Sequence, residues 1–105
     1  MNFKIAKAVI ERAAGKCECC ARPFEGDEGQ ARASIDHMQG RGRSESIETC
    51  WAIRADCHAA KTLNDPSASH WLAKFALHAK AHQYDEAHDW ALGEILWRTS
   101  KRRTA

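Results

Sequence analysis

Three cysteines and a histidine at set distances constrain this chain more than any other feature. Cys17-Glu18-Cys19-Cys20 places two thiols at C-x-x-C spacing, and Cys57-His58 follows after a stretch that holds Asp36-His37. The C-x-x-C spacing lets two thiolates reach one tetrahedral zinc ion from a tight turn, and Cys57 supplies a third sulfur. A chain of 105 residues forms one domain by default and buries only a small core, so a metal staple adds what packing leaves short. The stretch Met1-Asn2-Phe3-Lys4-Ile5 lacks the continuous apolar segment of a secretory signal, and no apolar run is long enough to cross a membrane. The expectation is a cytoplasmic protein with reduced thiols, where C-x-x-C spacing points to a metal ahead of disulfides.

Composition excludes a disordered or membrane chain, because 44% hydrophobic and 29% charged residues are ordinary for a soluble globular protein. A formal net charge of +2 is too small to imply a polyanionic partner by itself. Its distribution says more. Arg41 and Arg43 flank Asp36-His37, and Arg98, Lys101, Arg102 and Arg103 crowd the far end of the chain. Clusters of this kind suit nucleic-acid phosphates, and they also occur as plain solvated segments.

Hydrophobic periodicity predicts a helix over residues 4–14, with Ile5, Val9, Ile10 and Ala13 on one face and Gly15 as its stop. A Cys-rich knuckle spans 16–24, and a polar, Gly-bearing loop spans 25–32. Residues 33–37 read as a short strand. Residues 38–46 read as a loop, and a second strand follows over 47–53, where Ile47, Thr49, Trp51 and Ile53 recur at period two. A helix is expected from Asp56 to Leu63. Asn64-Asp65-Pro66 breaks it, and Ser67 or Ser69 can cap a further helix to about residue 81, with Trp71, Leu72, Phe75 and Ala79 on one stripe. Asp85 can cap a last helix to about residue 99, with Trp90, Ala91, Ile95 and Leu96 near one face. These two form a helical hairpin over 67–100. His78 and His82 stand one helical turn apart and could bind a metal, although such a pair is more often a solvated polar face. His70 and His88 carry no functional reading.

The ordered set Cys17-x-x-Cys20, Asp36-His37 and Cys57-His58-x-x-Lys61 resembles the HNH endonucleases, over residues 12–62. The helical tail resembles small HNH-type proteins of bacteriophages. The resemblance implies an α+β domain, 1–105, built on a ββα-metal motif with a zinc knuckle, flanked by an N-terminal helix and a C-terminal helical hairpin. It implies a metal-dependent hydrolysis of DNA phosphodiester bonds that leaves a 3′-hydroxyl and a 5′-phosphate. Asp36 and His58 then hold a catalytic divalent ion, Mg²⁺ or Mn²⁺ with Ni²⁺ as a substitute, and His37 is the general base. Lys61, one turn beyond His58, is placed to neutralise a phosphate oxygen, and Arg41 and Arg43 to hold the flanking backbone.

Two positions depart from the family pattern. A second C-x-x-C would put the fourth zinc sulfur three residues before Cys57, where Arg54 stands. Cys50 is the nearest substitute, about 13 Å from position 54 if the segment is extended, so it ligates only if the chain turns back. A different fourth group, or a knuckle packed without zinc, are the other readings. The middle Asn of the motif falls on Thr49, whose single hydroxyl can replace it only in part. These departures keep open a second class of function: an HNH-type fold that binds nucleic acid or protein without cutting. It also leaves room for a phage-encoded inhibitor that docks on a protein partner through the C-terminal helices, for which an apolar patch around Trp71, Trp90 and Trp97 would be the surface.

Overall fold

The computed structural model describes residues 3–37, 45–63 and 71–104. Helical spacing of apolar residues makes α1 (Phe3–Ala13), which buries Val9 and Ala13. Ile10 was expected beside them but is 41% exposed, because a residue next to Val9 lies about 100° round the helix. Ala14 and Gly15 both take positive φ, 52° and 82°, and the chain reverses into the knuckle. Only glycine adopts that geometry without cost, so the strain falls on Ala14. The knuckle closes with Cys17 N–H donating to Arg22 O and Ala21 N–H to Cys17 O, at 2.8 and 2.9 Å.

β1 (Ala33–His37) and β2 (Cys50–Arg54) form a two-stranded antiparallel sheet, with Asp36 opposite Trp51 and His37 opposite Cys50. The second strand is shorter than the 47–53 expected. Residues 47–49 form a turn, tied by Thr49 N–H to Ser46 O at 3.3 Å. Ile47 is correspondingly exposed. β2 reads poorly as an alternating strand because Cys50, Trp51, Ala52 and Ile53 are all buried. Cys50 and Ala52 pack with Val9 and Ala13 of α1. Trp51 and Ile53 pack into a larger core with Cys17 and the helices that follow.

β2 leads directly into α2 (Ala55–Thr62). The first-turn N–H groups of α2 find partners within the chain: Ala55 N–H donates to Arg32 O, Asp56 N–H to Gln30 O and Cys57 N–H to the Asp56 carboxylate. α3 (Trp71–Ala81) buries Leu72, Phe75, Ala76 and Ala79, and packs on α4 (Asp85–Thr104) through Ala87 and Ala91. Asp85 and Glu86 stand in the first turn of α4, where acidic groups complement the helix dipole. Trp51 meets Phe75 edge-on at 5.2 Å, and Phe75 meets Trp90 at 6.2 Å. Leu96 and Trp97, on the outer part of α4, are exposed. The described residues thus form an α+β arrangement of four helices and one two-stranded sheet. Among the described residues no helix is long and apolar enough to cross a membrane.

The open edge of β2 is closed by the knuckle and by one arginine. Glu18 N–H donates to Ala52 O at 2.9 Å, and Ala52 N–H donates to the Glu18 carboxylate at 2.9 Å. Arg54 N–H donates to Cys17 Sγ at 3.3 Å, and the Arg12 guanidinium donates to Cys50 O at 2.9 Å. The same guanidinium holds Glu18 through two bonds of 2.8 and 2.9 Å, with side-chain exposures of 12% and 6%. Breaking a buried pair of this kind leaves an uncompensated charge, at a cost of about 3–5 kcal/mol. Arg12→Met should therefore lower unfolding free energy in urea by about 3 kcal/mol, and Arg12→Met/Glu18→Gln by less than the sum of the single losses. Additive losses would remove the pair as the tie.

Candidate metal centre and active site

The knuckle, the end of β2 and α2 bring three sulfurs together. Cys17, Cys20 and Cys57 Sγ lie within 4.8 Å of one another, and Cys17 Sγ is 3.9 Å from Cys57 Sγ. Two thiolates bound to one zinc at about 2.3 Å in a tetrahedron stand about 3.8 Å apart, so this edge already has the spacing of a zinc site. The donor chemistry agrees. Cys17 Sγ accepts backbone N–H bonds from Cys20 and Arg54 at 3.4 and 3.3 Å, as a thiolate does. Burial and the neighbouring Cys17 sulfur push the Cys57 thiol well above its ordinary range. Burial also works against Cys20, but hydrogen bonds from Arg22 bring its thiol down to about 7. Three thiolates this close would need a cation among them, and the group can hold a metal ion such as zinc.

Cys50 does not join them. Strand alternation turns it, with Ala52, toward Val9 and Ala13, onto the opposite face of β2 from Trp51 and Ile53. Its expected role as fourth zinc ligand is corrected on that ground. Arg54, three residues before Cys57, spends its guanidinium on Asp56 at 3.1 and 3.2 Å. Cys19 lines a cavity of about 320 Å³ together with Cys20, Cys57, Lys61, Trp71 and Lys74. Burial raises the Cys19 thiol to about 11.

Asp36 is 4% exposed and gathers a second group. Trp51 Nε1 donates to Asp36 Oδ2 at 2.9 Å. His58 Nε2 lies 3.4 Å from Oδ1, and Lys61 Nζ donates to Oδ1 and Oδ2 at 2.9 and 2.8 Å. His58 Nδ1 is held by Ser34 Oγ at 2.8 Å, which leaves Nε2 directed to the carboxylate. Ser34 and Asp36 share one face of β1 by period two, and α2 carries His58 and Lys61 on one side by the i, i+3 rule. An oxygen and an imidazole nitrogen so arranged fit a divalent ion, with Ser34 orienting the ring from behind. Lys61 is the departure. It was read as a phosphate contact, and here it neutralises Asp36 and lies 4.5 Å from the Trp71 ring centroid.

His37 points away from Asp36, as successive strand residues do. Its Nε2 meets Glu45 Oε1 at 3.0 Å. Thr49 Oγ1 accepts from Ser46 N–H at 3.1 Å and lies 3.2 Å from Ser46 Oγ, which closes the turn beside Glu45. Thr49 thus closes the turn that follows Glu45, the partner of His37. Arg41 and Arg43 lie outside the described residues. Three supporting residues were not anticipated from sequence: Ser34, Trp51 and Glu45. The first two were legible in principle, since Ser34 is two positions from Asp36 and Trp51 is its cross-strand partner. Glu45 carried no local signal, because its contact depends on the turn.

No family model matches this chain, and comparisons with curated proteins and with solved structures find no match. The sulfur group makes its own claim. After exposure to a mild chelator, purified protein should retain one zinc per chain by elemental analysis. Cys57→Ser should lose it to a chelator that leaves the parent loaded, and Cys50→Ala should keep it. Equal retention by both variants would remove the three-sulfur site.

Proposed function

We propose that the chain is a metal-dependent endonuclease of the HNH type that hydrolyses DNA. The observation that carries this reading is the convergence of Asp36 on β1 and His58 on α2 at 3.4 Å, from a β-hairpin that runs straight into a helix beside a three-sulfur group. A strand residue and a helix residue that meet in this way support a ββα-metal reading. A divalent ion held by Asp36 and His58 would neutralise charge that develops on a scissile phosphate. The chain's own residues supply the rest. Water attacks phosphorus while His37 takes its proton through the ring nitrogen that Glu45 does not hold. The O3′–P bond breaks, and the 3′ oxygen takes a proton from solvent to leave as a hydroxyl. Glu45 orients the imidazole and stabilises it when charged. Lys61 must release Asp36 for the ion to enter, and it is then free to meet a phosphate oxygen.

One observation favours a second reading. Lys61 bonds both Asp36 oxygens, so the carboxylate is already neutralised without a metal. A protein in which that pair persists would bind nucleic acid without cutting it, and the nuclease chemistry would be lost while the fold remains.

A supercoiled-plasmid assay with Mg²⁺, Mn²⁺, Ni²⁺ or EDTA separates the two. The expected outcome is metal-dependent nicking by the parent and a loss of about 10²–10⁴-fold in rate for His37→Ala, the range for one general base. Binding that weakens with salt, with no cutting under any metal by a folded, zinc-loaded protein, would establish the second reading.

A further inference from the structure

A second cluster of metal-capable side chains shares no residue with the three-sulfur group or with the Asp36 site. We propose that Glu18, His78 and His82 form a binding site for a late first-row divalent ion such as Zn²⁺, Ni²⁺ or Cu²⁺, which clamps α3 to the knuckle. One ligand atom from each residue lies within 4.8 Å of the others. His78 and His82 are spaced i, i+4, the spacing that puts two imidazoles on one helix face toward one ion. Their ring centroids are 4.7 Å apart.

The pair of Glu18 and His78 shows the tightest fit. His78 Nδ1 is 3.5 Å from Glu18 Oε2. That is long for a hydrogen bond. Two donors that share a tetrahedral ion at about 2.1 Å stand about 3.4 Å apart. Both side chains are 6% exposed, so His78 is no solvated face, contrary to the ordinary reading of such a pair. The other ring nitrogen, Nε2, is buried with no hydrogen-bond partner. A buried imidazole that satisfies neither nitrogen well is uncommon and calls for a specific cause. Burial lowers His78 to about 4, so near neutral pH the ring is uncharged, as a metal ligand must be. His82 is exposed at the end of α3 and stacks on Tyr84 at 5.5 Å and 22°. It is the ligand with room to turn and close the site.

Arg12 sets the choice of ion. It neutralises Glu18 through the two bonds of 2.8 and 2.9 Å, so the three ligands and Arg12 together carry no net charge. Hard ions such as Mg²⁺ and Ca²⁺ depend on anionic oxygen and bind weakly in such a site. Imidazole donors favour ions high in the Irving–Williams order, and the order of affinity should be Cu²⁺ above Ni²⁺ and Zn²⁺, with Mg²⁺ absent.

The test is equilibrium dialysis of the full chain against Zn²⁺, with bound metal counted for the parent, His82→Ala and Cys57→Ser, and Co²⁺ spectra of the last. His82 is exposed, so its removal leaves the core intact. The expected result is one ion fewer per chain in His82→Ala than in the parent at the same free zinc, with affinity at that site down by roughly 100-fold. Cys57→Ser should retain an ion, and its Co²⁺ form should lack the thiolate charge-transfer absorption of a sulfur site. Zn²⁺ should raise the melting temperature of Cys57→Ser and leave that of Cys57→Ser/His82→Ala unchanged. Equal zinc in the parent and His82→Ala would overturn the proposal, whether or not the sulfur group binds metal. So would a Co²⁺ spectrum in Cys57→Ser that still shows thiolate.

Discussion

Arg12 reaches from the last turn of α1 to Glu18 in the knuckle, to the carbonyls of Ile47 and Cys50 and to the hydroxyl of Tyr84. Four separate segments meet at one guanidinium. Burial opposes its charge, but the bonds to Glu18 and Tyr84 hold its pKa above the ordinary arginine value. A two-stranded sheet is marginal by itself, because each strand leaves one edge unpaired. Here Arg12, Glu18 and Cys17 take up the outward groups of Cys50, Ala52 and Arg54. The knuckle therefore acts as a third strand, in which side chains replace part of the ladder.

That closure explains why the metal-capable groups are neighbours of the sheet. Glu18 lies between Cys17 and Cys20, so the residue that covers Ala52 also sets the direction of both thiols. Arg54 N–H bonds Cys17 Sγ, and three residues later Cys57 brings its sulfur to within 3.9 Å of the same atom. Trp51 sits on the other side of this arrangement, fully buried, with its indole N–H on Asp36. The sulfur group and the Asp36–His58 pair are two ends of one short path through β2 and α2. A metal at the sulfurs would stiffen the strand-to-helix junction that carries His58.

Local residue pattern was enough for much of this. Residues 33–37 read as a short strand, and the antiparallel pairing then brings Asp36 to the face that α2 covers. The C-x-x-C spacing predicts that Cys17 and Cys20 meet, and Cys57 joins them because α2 begins where β2 ends. The failures share a cause: each depends on what covers a face. Cys50 looked available until α1 was laid over its side of β2. Residues 47–49 alternate like a strand, but the Ser46–Thr49 hydrogen bonds turn them out of the sheet. His78 reads as solvated because His pairs one helical turn apart usually form a polar face, yet Trp51, Phe75 and Glu18 enclose it. Partners distant in sequence leave no periodic trace at the residue they bury.

Lys61 decides how the Asp36 site behaves, and the argument is electrostatic. A buried carboxylate is costly without a counter-charge, and Lys61 supplies one from a side chain that is itself 15% exposed. A divalent ion at Asp36 and His58 would meet Lys61 as a like charge at close range. The two cannot share the carboxylate in a partly buried setting, so entry of the ion requires Lys61 to swing away. Its stem already places Nζ 4.5 Å from the Trp71 ring, while Arg98 approaches the same ring at 5.5 Å. Trp71 thus gives the displaced ammonium a favourable surface, and a phosphate would give it a better one. Metal and polyanion should therefore assist each other at this site: the ion frees Lys61, and the phosphate rewards its release.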